Sequence, residues 1–301
     1  MSATGEGVVL FGGSGFLGSA VLAQAPGMVS VGRTAPPAPN RHIHIDSTAD
    51  LSVLEDEDFD SVVFIIGSSA HRMLAEENPP PGEPTAFDYH VTPLVETLEQ
   101  LKRRRLRRFM HFSTVLLYDP ERATLPYTED APIDPYRNRH VFAKHLAEEA
   151  LRFYARWVPP VNVRLANMYG PTSGDGYDVV YQLCRQLVDD RRARMWSIEG
   201  ERDFIHVEDA ARAAVALLDT DFTGTVNLGT GTLTPVSLVR DVLQEVSGAE
   251  IEVLDKPASG PPATQCDISL LRRLTGWEPR WDVADGVRST YERMLALSSA
   301  N

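Results

Sequence analysis

The chain has 301 residues, and 42 Asp plus Glu against 29 Lys plus Arg leave a formal net charge of -13. That length holds one large α/β domain or two smaller ones. The acidic balance argues against nucleic acid or an anionic membrane as the main partner, because both need a basic surface, while an anionic small ligand needs only a local positive pocket. The two cysteines, Cys184 and Cys266, make neither a disulfide framework nor a zinc-ligand spacing. Met1 to Gly5 leads straight into a strand-like run with no signal-like segment, and no apolar run approaches membrane-spanning length. A cytoplasmic protein is expected.

Val8 to Phe11 is a short apolar run suited to a strand buried on both faces. Gly12, Gly15 and Gly18 follow as G-x-x-G-x-x-G, and Ser19 to Gln24 reads as a helix. The first glycine permits a tight turn, the second lets backbone approach a pyrophosphate, and the third lets helix pack closely on strand. Ser14, Phe16 and Leu17 complete the loop, whose phosphate would sit on the free N–H groups of the helix N-terminus. The position between strand and helix is the context this motif needs.

Val29 to Thr34 is read as the second strand, with Arg33 at its tip. An acidic residue there would bind the ribose hydroxyls of NAD, whereas an arginine suits the additional phosphate of NADP; the bland reading is a solvated strand end. His42-Ile43-His44-Ile45 alternates like a strand, closed by Asp46, with both histidines on one face. A metal pair there would need a further ligand, so a half-exposed strand is the expectation, and no metal is assigned. Ser61 to Ile66 is another buried strand, ending in the small residues Gly67, Ser68 and Ser69 before His71. Val91 to Leu101 has helical spacing and runs into Lys102 to Arg108, read as a solvated helix end. Phe109 to Phe112 is the next strand, leading to Thr114 and Tyr118. Strands alternate with helices throughout, so the fold class is α/β, a doubly wound parallel sheet.

Asp134-Pro135 looks like a helix start, with Asp as cap and Pro at the first helical position. From that start Tyr136, His140 and Lys144 fall at i, i+4 and i+8, which puts a phenol, an imidazole and an ammonium in one column. Taken alone, the better reading is a surface helix among Arg137, Arg139 and Glu148.

Taken together and in this order, these residues resemble the extended short-chain dehydrogenase/reductase family, and within it the nucleotide-sugar epimerases, dehydratases and reductases. The marks are the glycine loop, Asp46, the pair Gly67 and Ser68, and Thr114 with Tyr118. The resemblance continues through Arg164-Leu165-Ala166-Asn167-Met168-Tyr169-Gly170-Pro171 and Arg202-Asp203-Phe204-Ile205-His206. It ends on Val226 to Gly231 and Leu274 to Pro279. It implies a Rossmann domain of residues 1–171 and 206–232, with a smaller substrate domain of 172–205 and 233–301. It also implies a homodimer formed by packing helices 91–105 and 136–156 into a four-helix bundle.

In the same frame Lys144 aligns with the lysine that binds the nicotinamide ribose, and His140 stands where relatives carry the catalytic tyrosine. Three readings follow: an imidazolium at His140 as general acid, losing activity as pH rises; Tyr136 reaching in from one turn earlier; or a binding protein without chemistry. Val115 and Leu116 replace the Asp-Glu pair of dehydratases, so elimination of water is not expected. The loop also resembles that of deoxysugar 4-ketoreductases. The reading that follows is NADP(H)-dependent reduction of a keto group on a nucleotide-linked deoxysugar, with NAD less favoured. Thr114 would hold the oxygen, His140 would donate the proton, and Ser69, Leu165 and Asn167 would complete the cofactor site. His71, Thr114, Asn167 and Arg202 would meet the substrate. The alternatives are an NAD-dependent epimerase and a cofactor-binding regulator or scaffold without turnover.

Overall fold

The structure is a computed structural model, and it describes residues 5–37, 39–67, 83–172, 176, 178–257 and 260–299. Ser68, Ser69 and His71, all expected at the site, lie outside the described residues. The first half runs β1 (Val8–Phe11), α1 (Phe16–Gln24), β2 (Val29–Gly32), β3 (His42–His44), β4 (Ser61–Phe64), α2 (Ala86–His90), α3 (Thr92–Leu101), β5 (Arg108–Thr114) and α4 (Arg139–Tyr154). Next come β6 (Pro160–Leu165), β7 (Asn167–Tyr169), α5 (Val179–Asp190), β8 (Ala193–Met195), β9 (Glu201–Arg202), β10 (Phe204–His206), α6 (Val207–Leu218) and β11 (Gly224–Leu228). The last part is β12 (Thr234–Pro235), α7 (Val236–Ser247), β13 (Ile251–Val253), β14 (Ala263–Thr264), α8 (Ser269–Thr275) and α9 (Val283–Ser299).

Seven strands form one sheet in the order β11-β6-β5-β4-β1-β2-β3, and every pairing in it is parallel. This is a Rossmann-type α/β fold. The chain reverses direction across the sheet between β1 and β4, so a crevice opens there at the carboxyl ends of the strands. Alternation within each strand sends neighbours to opposite faces. Val8, Leu10, Val63 and Met110 join the core under α1 and α6, while Val9, Phe11, Phe64 and Phe109 join the core under α3 and α4. Burial on both faces is why these strands read as unbroken apolar runs.

A separate core gathers Val180 and Leu187 of α5, Val239 and Leu243 of α7, and Val287 and Tyr291 of α9. Residues 233–301 do not all join it. Ile268, Leu271 and Trp277 belong to the main core, because α8 lies against α6 and β11. The boundary expected at 232–233 therefore has an exception at 266–277.

Two expectations about elements fail, in part or in full, for physical reasons. The basic run at 102–108 is a solvated helix end only in part: Lys102 closes α3 and Arg103 and Arg105 are exposed, but Arg104 and Arg108 are not. Arg104 donates to the Leu54 and Phe59 carbonyls and stacks on the Phe59 ring, while Arg108 is 2% exposed and donates to Phe222 O. A helix does not start at Asp134. Its backbone N–H donates to Leu117 O, and its carboxylate accepts from Tyr136 N in a local turn. The cap is Asn138, whose side chain accepts from Val141 N at 2.9 Å, so α4 begins at Arg139.

Candidate active site

The glycine loop meets the geometric demands read from its spacing. Gly12 has φ +93°, and a Cβ on it would lie 3.1 Å from the backbone of Ile65 and Ile66. A Cβ on Gly18 would overlap the Gly12 carbonyl oxygen, so α1 reaches the loop only because residue 18 lacks a side chain. Gly15 N donates to Gly12 O at 3.1 Å, and no side chain caps α1. Its terminal N–H groups thus remain directed at the crevice, an arrangement that takes a pyrophosphate. Ser14 is exposed on the loop, Phe16 is half-buried, and Leu17 is buried in the core. Leu17 would therefore offer its backbone to a ligand and not its side chain.

At the tip of β2 the Arg33 side chain is exposed. Its carbonyl meets His44 Nδ1 at 3.1 Å, and His44 Nε2 meets Asp46 Oδ1 at 3.1 Å. Asp46 is likewise exposed. His42 is used otherwise, bonding the buried Ser30 hydroxyl. The glycine cradle, the uncapped helix end and the polar β2–β3 tips together fit a dinucleotide.

Facing the loop, α4 carries His140 in its first turn and Lys144 one turn later. Lys144 Nζ donates to Phe112 O at 2.7 Å. Burial pushes its ammonium down to about 8, opposed by the Glu148 carboxylate. His140 is 4% exposed, and its buried Nδ1 has no hydrogen-bond partner among the described residues. Burial and then the Lys144 charge push the ring down to about 3, and a helix N-terminus acts in the same direction. The imidazolium expected from the sequence is therefore not the form held at neutral pH. Thr114 ends β5, and its Oγ1 accepts from Leu116 N at 3.2 Å, leaving its own hydrogen to donate. Leu165 ends β6, paired with Thr114.

Tyr136 does not join this group. Outside the helix it is 79% exposed, with its ring against Phe142. Tyr118 is also committed elsewhere: its hydroxyl donates to Asn227 Oδ1 at 2.6 Å, and burial pushes it up to about 12. The expected column of three groups shrinks to His140 and Lys144.

A residue that sequence reasoning missed completes the cluster. His90, the last residue of α2, is 1% exposed, and among the described residues neither ring nitrogen has a hydrogen-bond partner. Its ring meets that of His140 edge to face, 5.1 Å between centroids and 78° between planes. A Cβ on Gly67 would lie 2.8 Å from His90 Cε1, so the small residue at the end of β4 accommodates this imidazole. Burial first, then Lys144, His140 and His111, holds His90 well below the ordinary range. His111 bonds Asn162 Oδ1 at 3.0 Å and is pushed down to about 4 by burial and by Lys144. Behind them Arg164 grips Glu148 through two nitrogens, at 3.1 and 2.8 Å. Burial opposes the Glu148 charge, but the Arg164 fork outweighs it and keeps the carboxyl below its usual range.

On the far side of the crevice, three short elements bring Asn167, Arg202 and Thr264 together. Thr264 Oγ1 donates to Asn167 Oδ1 at 3.1 Å, and Thr264 pairs with Arg202 across β14 and β9. Among the described residues the Arg202 guanidinium donates only to the Glu201 and Pro262 carbonyls, so the ion pair with Glu201 or Asp203 weighed from the sequence does not form. Asp203 turns inward and accepts from Thr230 N, Thr230 Oγ1, Gly231 N and Cys266 N. It ties the strand to two loops and leaves Arg202 at the crevice. Among the described residues no group of three or more His, Cys, Asp or Glu is arranged to hold a metal ion, and no helix is long and apolar enough to cross a membrane.

A parallel sheet with a glycine cradle at its switch point and a lysine helix facing it defines a dinucleotide-binding α/β protein of the extended short-chain dehydrogenase/reductase type. Residues 8–229 match the family described as the NAD dependent epimerase/dehydratase family, and the chain belongs to it. Over 318 residues, covering 94% of each chain, it is 27% identical to dTDP-6-deoxy-L-talose 4-dehydrogenase (NAD(P)(+)) of Kitasatospora kifunensis. The fold is similar to UDP-glucuronic acid 4-epimerase of Bacillus cereus with UDP-glucuronic acid and NAD (TM-score 0.82, 21% identity, 96% of this chain and 99% of that one). It is also similar to RMD from Pseudomonas aeruginosa complexed with NADPH (TM-score 0.79, 20% identity, 96% and 99% covered).

Proposed function

We propose that the chain is an NADP(H)-dependent ketoreductase acting at a keto group of a nucleotide-linked deoxysugar. The observation that carries this reading is the composition of the crevice wall. Lys144 and His140 face it from one helix, and Thr114 is followed by Val115 and Leu116, which move no protons. Such a site can hold and protonate one oxygen but has no acid/base pair for eliminating water. The relative from Kitasatospora kifunensis, named for oxidoreduction at the 4-position of a dTDP-linked 6-deoxysugar, supports the same class of substrate. The exposed Arg33 guanidinium at the β2 tip supports NADP over NAD.

NADPH, when bound in the glycine cradle, would supply the hydride. The Thr114 hydroxyl donates to the substrate carbonyl oxygen, and the neutral His140 ring offers a second N–H. A neutral imidazole can polarise a carbonyl in this way without carrying charge. As charge develops on the oxygen, one His140 N–H bond breaks and an O–H bond forms. For the other ring nitrogen to take a proton from the Lys144 ammonium, pushed down to about 8, Lys144 has to leave the Phe112 carbonyl, since the two side chains share no hydrogen bond. Asn167 and Arg202 hold the diphosphate, the Arg fork suiting its oxygens. The site is expected to work in a homodimer.

The test is to titrate the protein with NADPH and NADH and then to supply a dTDP-4-keto-6-deoxyhexose. Tighter binding of NADPH, with its stoichiometric oxidation and formation of the 4-hydroxy sugar, is the expected result. Preference for NADH, with interconversion of sugars and no net oxidation, would favour the epimerase instead. Cofactor binding without any change to a sugar would favour the regulator.

A further inference from the structure

The ladder between β2 and β3 ends where Gly32 lies opposite His44, with Ile45 N donating to Gly32 O at 3.2 Å. Arg33 is the next residue along β2. Its carbonyl is held past the end of the ladder by a side chain, His44, whose Nδ1 lies 3.1 Å away. The same ring meets Asp46 Oδ1 through Nε2, also at 3.1 Å. A backbone carbonyl and an ionised carboxylate only accept, and a neutral imidazole has one N–H and one lone pair. Both contacts are hydrogen bonds together only when the ring carries two hydrogens and a positive charge. His42, two residues earlier on the same face, meets no such condition, because its partner is the Ser30 hydroxyl, which can donate or accept.

The tip of β2 is where the adenosine ribose of a dinucleotide lies in this fold, and a 2′-phosphate there would face the Arg33 guanidinium. It would also stand near Asp46, an exposed carboxylate whose charge repels a phosphate. We infer that His44 is a specificity-determining residue for NADP: its imidazolium ties the Arg33 backbone to Asp46 and offsets the Asp46 charge beside the 2′-phosphate. The inference rests on the NADP reading above and deepens it. Both ring nitrogens are already engaged, so His44 acts through Arg33 and Asp46 and not by touching the phosphate. NAD carries a hydroxyl in place of that phosphate and gains little from the same charge.

The experiment titrates NADPH and NADH into the full chain, in wild type, His44→Gln, Asp46→Asn and the double variant. A glutamine donates to one of the two acceptors but carries no charge. His44→Gln is expected to weaken NADPH about two- to fivefold, the scale of an exposed ion pair, with NADH unchanged. In the Asp46→Asn background the same change should cost less, because an amide can donate to Nε2 and the ring no longer has to be charged. Nitrogen-15 spectra of labelled histidines, with the His44 signal assigned by its loss in His44→Gln, should show both of its nitrogens protonated at pH 7 with NADPH bound. A neutral His44 ring in that complex would overturn the inference. So would a wild-type preference for NADPH that His44→Gln leaves intact, or equal losses for the two cofactors, which would mean that the residue only holds the strand tip. A wild type that binds NADH more tightly would bring down the NADP reading itself, and the inference with it.

Discussion

An imidazole loses its charge when desolvation and a neighbouring cation act in the same direction, and His140 has both. With the ring neutral, the proposed proton supply is Lys144, and the sign of the pH dependence follows from that proposal. On it, turnover should be highest below about 8 and fall as pH rises through that value, whereas an imidazolium donor with the ring at about 3 would already be lost at neutral pH. A pH–rate profile of kcat checks this. Arg33→Ala should weaken NADPH roughly ten- to a hundredfold and leave NADH nearly unchanged, the pattern of losing one charged phosphate contact; equal losses for both cofactors would count against a contact with the extra phosphate. The glycine loop was read from its spacing between strand and helix, whereas Thr114, His140 and Lys144 were singled out by the family resemblance, since spacing alone favoured a surface helix. His90 was not legible. It lies 50 residues from His140 in the chain, and nothing in its neighbours marks the last residue of a short helix as a partner in the site.

Among the elements, the start of α4 decides what reaches the crevice. Local pattern put the start of α4 at Asp134 and did not single out Asn138, the cap the structure uses four residues later. Tertiary contacts make the choice: Asp134 is held to the Leu117 carbonyl, and Arg137 donates to Tyr118 O. The choice removes Tyr136 from the column and places His140 in the first helical turn. Asn138→Ala should therefore cost about 1 kcal/mol of stability and also reduce turnover, since the fraying turn carries His140. Differential scanning calorimetry and kcat read the two effects separately. Gly18→Ala is a harder change, since its methyl has nowhere to go but the Gly12 carbonyl. NADPH binding should be abolished in a titration, with the sheet behind it retained.

For the molecule as a whole, the parallel sheet was legible because strands covered on both faces read as apolar runs separated by helical periods. The placement of 266–277 on the main core was not, since Ile268 and Leu271 signal only that a short helix has a buried side, not which core takes it. Several buried histidines add a global property. His111, His140 and His206 are all pushed down by burial, to about 4, 3 and 4, and His90 moves the same way. The unfolded chain binds protons near the ordinary histidine value of 6.5 while the folded one does not, so their contribution is fully present above about 6.5 and lost as pH falls toward the folded values. Each such ring should cost about 2 kcal/mol by pH 5. Melting temperature is expected to drop steeply between pH 7 and pH 5, and less steeply in His140→Leu.

The account turns on a hydride acceptor protonated through His140. Single-turnover oxidation of NADPH by a dTDP-4-keto-6-deoxyhexose, followed in wild type and in His140→Ala, tests that most directly. Rapid stoichiometric oxidation in wild type and a slowing of roughly a hundredfold or more in the variant, with NADPH binding intact in both, is the expected result. Equal rates in the two proteins would contradict it.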